Sequence, residues 1–324
     1  MRTLASADSL LDDVVAAVRG DASCGVLATG RFTPTGEAGG LSAAALFAGP
    51  SVPVTVRFSS TAGCSGGHDG EPGDQGLAVR FHVGPGQDVD LLASTLPVFF
   101  VRNAPDMREF LWAVNSGDPA AISDFVGRHP EAATALALAE EALPADSFTG
   151  VTYHAVHTFG LVDEDGRTTW ARLGWEPWWP LDPLSRESAL SRPADYLTRG
   201  LAGRLPSGFR LVARFAGADD LGVLHDPTRV WASGARLVAE LGELMLDGVG
   251  VGGSPDFDPL RLPLGFEVPR DGLFGVRGGC ACGGLVPHPA PSRNWGACPR
   301  PPAAGLLPPA AGAPFGSVLK RRTG

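Results

Sequence analysis

"VPVTVRFSS", Val52 to Ser60, places apolar residues at Val52, Val54, Val56 and Phe58 and smaller or polar ones between them. That alternation is the signature of a half-buried strand, because successive side chains on a strand point to opposite faces. "GLAVRFHV" (76–83) repeats it, "GPGQ" (84–87) is turn chemistry, and "DVDLLAS" (88–94) repeats it again. Three alternating strands in close succession predict an antiparallel sheet with one wet and one dry face.

The same rhythm returns further on. "VTYHAVHTFGLV" (151–162) and "TTWARLGWEP" (168–177) flank "DEDGR", a strong hairpin signal. "FRLVARFAG" (209–217) and "RLVAELGELML" (236–246) read as strands, the second with a helical alternative. Helical spacing is expected at Ser6–Val18, over Leu41–Phe47, in "DMREFLWAVN" (106–115), in "EAATALALAEEAL" (131–143) and in "ADYLTRGLAGRL" (194–205). The expectation is an α+β fold: an antiparallel β-barrel with helical insertions packed outside it.

Composition narrows the function. The chain has 324 residues, 44% of them hydrophobic, and a net charge of -9, which argues against a nucleic-acid partner. No apolar run is long enough to span a membrane, and Asp8, Asp12 and Asp13 stand where a secretory signal needs apolar residues. Five cysteines do not make a disulfide framework, so a reducing, cytoplasmic setting is expected. No Asp or Glu follows Asp271, and nine prolines fall between Pro287 and Pro314. Residues 1–282 read as the core domain. Residues 283–324 read as a disordered tail or as a GC-rich frame read out of phase.

The order of motifs resembles the heme catalase superfamily, in particular its short catalase-related peroxidase branch. The carrying stretches are "GVLATGRFTPTGEA", "VPVTVRFS", "GLAVRFHV…DVDLLASTLPVFFVRNAPDM", "SFTGVTYHAVHTFGLVDEDG", "DPTRVWA" and "FDPLRLPLGFEVPRDGLFGVR". The resemblance implies a catalase-like barrel, a heme cofactor and a peroxide-handling oxidoreductase. In that family a distal histidine moves the peroxide proton, and a proximal tyrosinate holds the iron and pushes electron density into it.

By that resemblance Arg19 and Arg57 match arginines that hold heme propionates, and Ser94 matches the distal hydrogen-bonding residue. Phe99 and Phe100 match pocket aromatics. His157, Asp271 and Arg277 match the residues behind the proximal ligand. The resemblance puts the distal histidine at Ala22 and the proximal tyrosine at Ala281, so both central groups are missing. Classical catalase turnover is therefore expected to be absent or residual. Cys280 or Cys282, beside the gap, could supply a thiolate ligand instead.

Two further readings follow from those losses: a repurposed peroxygenase or dehydratase acting on an organic peroxide, and a heme-free binding pseudoenzyme. The expected partner is a small peroxide or organic substrate, with a homo-oligomer compatible. His154 and His157, three apart on a strand, should face opposite ways and not share a metal. The loop "GGHDGEPGDQ" lacks calcium-loop spacing and reads as structural.

Overall fold

The computed structural model describes residues 25–64, 66–116, 118–231 and 238–274. The three opening strands form as read, as β2 (Val52–Ser60), β3 (Gln75–His82) and β4 (Asp88–Ser94); β1 (Val26–Pro34), not foreseen as a strand, precedes them, and the four are joined antiparallel in sequence order. β5 (Tyr153–Val162) and β6 (Thr168–Pro177) make the expected hairpin, with Gly166 at φ 78° supplying the left-handed turn residue. β7 (Ser207–Phe215) and β8 (Val238–Val249) follow, so the ambiguous segment after Arg236 is a strand.

β8 pairs with β1, and Ser94 of β4 pairs with His154 of β5. These contacts close eight strands into a barrel in the order β4-β3-β2-β1-β8-β7-β6-β5. Closure removes the open edges that an antiparallel sheet would otherwise present. A short β9 (Phe266–Glu267) adds to β5.

The apolar member of each alternating pair points into the barrel. Val54, Val56, Phe58, Leu77, Val79, Phe81, Val89 and Leu91 all join one buried core. Phe58 stacks on Phe148 at 5.3 Å, and Phe32 meets Phe81 edge-on at 5.0 Å. Burying each such ring contributes roughly 2–3 kcal/mol relative to exposure. The rings are packed closely enough that β8 needs glycine at 242, where a Cβ would lie 2.2 Å from the Phe32 ring.

Three helices, α1 (Ala104–Asn115), α2 (Pro119–Arg128) and α3 (Pro130–Glu141), are inserted between β4 and β5. Asp118 caps α2 by accepting from Ala120 N at 2.9 Å, with proline at the first helical turn. α2 was not foreseen from its spacing. The helices enclose a second, smaller core of Val101, Met107, Phe110, Ala113, Phe125, Ala132 and Leu273. Elsewhere the expected helices are broken: Leu41–Phe47 splits into turns at Gly36–Leu41 and Ala45–Ala48, and 194–205 becomes a short helix (Tyr196–Gly200) running into a 3-10 turn. Among the described residues no helix is long and apolar enough to cross a membrane. The 283–324 tail and the Ser6–Val18 helix lie outside the described residues.

Candidate functional site

Residues between the core-facing positions of β1 to β4 make up the barrel's outer wall, and the strand registers place them in rows. Leu27, Arg57, Ala78 and Leu92 are opposed in turn across β1, β2, β3 and β4. Two residues along lies a second row, Ser59, Gly76 and Ser94, which His154 continues onto β5. Three small or aliphatic side chains thus surround one arginine on a sheet face.

Arg57 is 7% exposed, and its guanidinium lies over the Phe257 ring at 5.2 Å. Phe257 belongs to a loop pinned to the wall by Asp90. Asp90, directly opposite Arg80 in register, accepts two bonds from it at 2.8 Å each. It also accepts from the Arg261 guanidinium and from Asp258 N at 2.7 Å, while its own amide donates to Arg261 O. Bonding to Asp90 raises the Arg80 pKa further. Arg80 also lies 5.2 Å from the same Phe257 ring. This network was not singled out from sequence. Its legible part is Arg80 and Asp90 at outward positions of "AVRFHV" and "DVDLL".

A buried pair sits behind the wall's end. His157 Nδ1 and Asp271 Oδ2 are 2.7 Å apart, each side chain 2% exposed. Asp271 Oδ1 accepts from Leu273 N and Phe274 N, at 3.0 and 2.9 Å. Burial pushes the Asp271 carboxyl up, but bonding to His157, the His157 charge and the two amides together hold it below its usual value. Phe274 enters the barrel core and Leu273 the helical core, so the segment carrying Asp271 is wedged between the two. His157 lies where the pairing with β6 shifts register between Ala155 and Thr158, and there it meets Asp271, while His154 stays opposite Ser94.

Phe99 and Phe100 stack on each other at 4.7 Å and pack against the helical core through Phe110. They stand beside the wall's β4 end rather than on a row. Ser94 Oγ donates to Leu96 O at 3.3 Å. Arg172 binds the 221–231 loop, donating to Arg229 O and Asp226 O and lying 4.6 Å from the Trp231 ring. Arg19, Ala22, Arg277, Cys280, Ala281 and Cys282 lie outside the described residues.

Both tyrosines of the chain are committed elsewhere. Tyr153 lies in the barrel core and donates to Phe148 O at 2.8 Å, its pKa raised by burial. Tyr196 donates to Ala145 O at 2.6 Å, and burial pushes it up to about 12. Neither is a ready phenolate. Asp106, His129 and Glu131 bring ligand-type atoms within 4.8 Å of one another, but both Glu131 oxygens accept from Arg102, at 2.9 and 2.8 Å. The acidic loop after Gly66 is a packing element. His68 Nε2 bonds to Arg192 O, and the buried Asp69, its pKa raised by burial, accepts from Leu197 N.

A family model described as "Catalase" matches residues 18–249. A catalase-related peroxidase of Mycolicibacterium paratuberculosis is 31% identical, over 78% of this chain and 83% of its own length. A second, from Synechococcus elongatus, is 25% identical over 79% of this chain and 78% of its own. A catalase of Sus scrofa is 28% identical over 77% of this chain but only 52% of its own length. The barrel strands through β8 fall within the matched residues, and Asp271 lies beyond the family match.

Proposed function

The chain belongs to the catalase family, and on that premise we propose that it is a heme-binding, peroxide-handling protein whose classical catalase turnover is absent or residual. The observation that carries this reading is a contrast on one molecule. A wall suited to a flat apolar ring with an acidic edge is present, while both tyrosines are bonded to backbone carbonyls elsewhere.

The residues of the wall fit such a group. Leu27, Ala78 and Leu92 offer an apolar sheet face, and Arg57 offers a buried cation for a propionate, held in place by Phe257. Arg19 and Arg277 would complete the cradle by resemblance. Heme, when bound, supplies a redox-active iron at which a peroxide O–O bond is cleaved. The protein's part is to bind the ring, exclude water with the Phe257 loop, and orient the peroxide through Ser94. Behind the site His157, fixed by Asp271, would hold Arg277 in place. With alanine at 281 that support has no phenolate to act on.

The test is a hemin titration of the full chain with parallel oxygen measurement. A Soret band that forms stoichiometrically, with little oxygen evolved from hydrogen peroxide, supports the reading. Brisk oxygen evolution contradicts it. A carbonyl complex shifted to the red marks a thiolate ligand, and Cys280→Ser and Cys282→Ser then identify the donor. Without any Soret band the protein is the heme-free alternative.

A further inference from the structure

Six of the seven histidines lie in the described residues. His68, His82, His129 and His157 are bonded to or paired with backbone or carboxylates, and His225 packs edge-on against Trp170. His225 and His154 make no hydrogen bond among the described residues, and His225 Nδ1 is buried without one; of the two, only His154 lies on a barrel strand. It occupies the seam where β4 meets β5, directly opposite Ser94.

Its neighbours on the barrel fix its direction. Tyr153 and Ala155 join the barrel core, so His154 faces outward; Ala93 packs against that core, so Ser94 faces outward too. Opposed residues of antiparallel strands have Cβ atoms about 4.5–5.5 Å apart, so an imidazole at 154 reaches the space in front of Ser94. Glycine flanks the pair on both sides, Gly76 opposite Ser94 and Gly174 opposite His154. Ser59 Oγ leans over Gly76 and Arg214 over Gly174, so the seam is lined by small side chains, Arg214 and one imidazole, at the end of the rows that carry Arg57.

We propose that His154 is the proton carrier of this site, doing from β5 the work that an imidazole at position 22 does in the resembling enzymes. This rests on the heme-binding reading above. A ring nitrogen of neutral His154 accepts the proton of one peroxide oxygen, and the imidazolium returns it to the other. The histidine ends as it began, and no electrons pass through it. Ser94 positions the peroxide.

The electrostatics agree with the geometry. Burial and the nearby Arg214 lower the His154 pKa to about 4, so the ring is the neutral, proton-accepting form at neutral pH. Arg214 reaches it across Gly174, where a Cβ would lie 3.0 Å from Nη1, and is itself paired with Glu176.

The experiment uses the full chain loaded with hemin, comparing wild type with His154→Gln, His154→Ala and, as control, His82→Gln. One equivalent of hydrogen peroxide is mixed in and the rate of change of the Soret band is followed from pH 4 to 8. General acid–base catalysis is typically worth 10²–10⁴-fold. Both His154 variants should therefore slow by about 10²-fold or more with an unchanged starting Soret band, His82→Gln should not, and the wild-type rate should fall as pH drops toward 4. In ¹⁵N-histidine spectra, the ring signal that His154→Gln removes should be shifted or broadened by ferric hemin. An unchanged rate in His154→Gln, or a ring signal untouched by hemin in a protein with a normal Soret band, overturns the role of His154 and leaves the heme reading standing. No Soret band in wild type overturns the heme reading, and this role with it.

Discussion

Two cross-strand ion pairs on opposite sides of the barrel have the same sequence logic and different fates. Arg80 and Asp90 are directly opposed on β3 and β4; Glu176 and Arg210 are directly opposed on β6 and β7. Asp90 is fully buried and binds Arg80 through two oxygens at 2.8 Å. Arg210 is 44% exposed and stands 3.8 Å from Glu176. The strands do not make the difference. The loop from 254 to 262 folds over one wall with Phe257 and Arg261, and β6 to β8 carry no such cover over Arg210 among the described residues. A covered wall can hold a ligand away from water; an uncovered one is solvated surface.

The hardest way to break that contrast is Asp90→Ala. It leaves Arg80 and Arg261 facing each other without the carboxylate, and a loss of about 3–5 kcal/mol is expected in a urea midpoint experiment. A change below about 1 kcal/mol would mean that the loop is not pinned there. Asp271→Asn is expected to cost less, about 2–3 kcal/mol, because the amide retains part of the bonding to His157. The folded-state pKa of Asp271 is depressed. Its contribution is therefore complete above the ordinary carboxylate range and is lost as pH falls through the folded value, so wild type and Asp271→Asn should converge in stability once pH lies below that depressed value.

Arg57→Leu keeps the apolar stem and removes the charge. If the covered wall is the porphyrin face, hemin affinity should fall about 10- to 100-fold, the worth of one charge-assisted bond. The smallest effect belongs to the open side. Arg210→Ala should change stability by no more than about 0.5 kcal/mol and leave hemin binding as it is, as exposed pairs usually do.

The barrel was legible because its alternation is local. "VPVTVRFSS", "DVDLLAS" and "TTWARLGWEP" became β2, β4 and β6 with the limits read from sequence. Helical limits were less legible: α2 is short and begins at a proline, and was missed although Ile122, Phe125 and Val126 fall on one face, and 194–205 breaks where Gly200 and Gly203 fall. Of the site, Arg57 and Ser94 could be placed on one outward face by counting in twos. The His157–Asp271 contact could not be derived that way, because it spans 114 residues and lies where the β5–β6 pairing shifts register. The Asp90 cluster was missed for a similar reason, since its second arginine comes from a loop 171 residues further on.

The account stands most directly on hemin added to the purified full chain, with the Soret region recorded for wild type and Arg57→Leu. The expected result is a saturable band in wild type, weakened in the variant, on a protein that releases little oxygen from hydrogen peroxide. A wild-type chain that gives no band, or one that evolves oxygen at the pace of a true catalase, contradicts it.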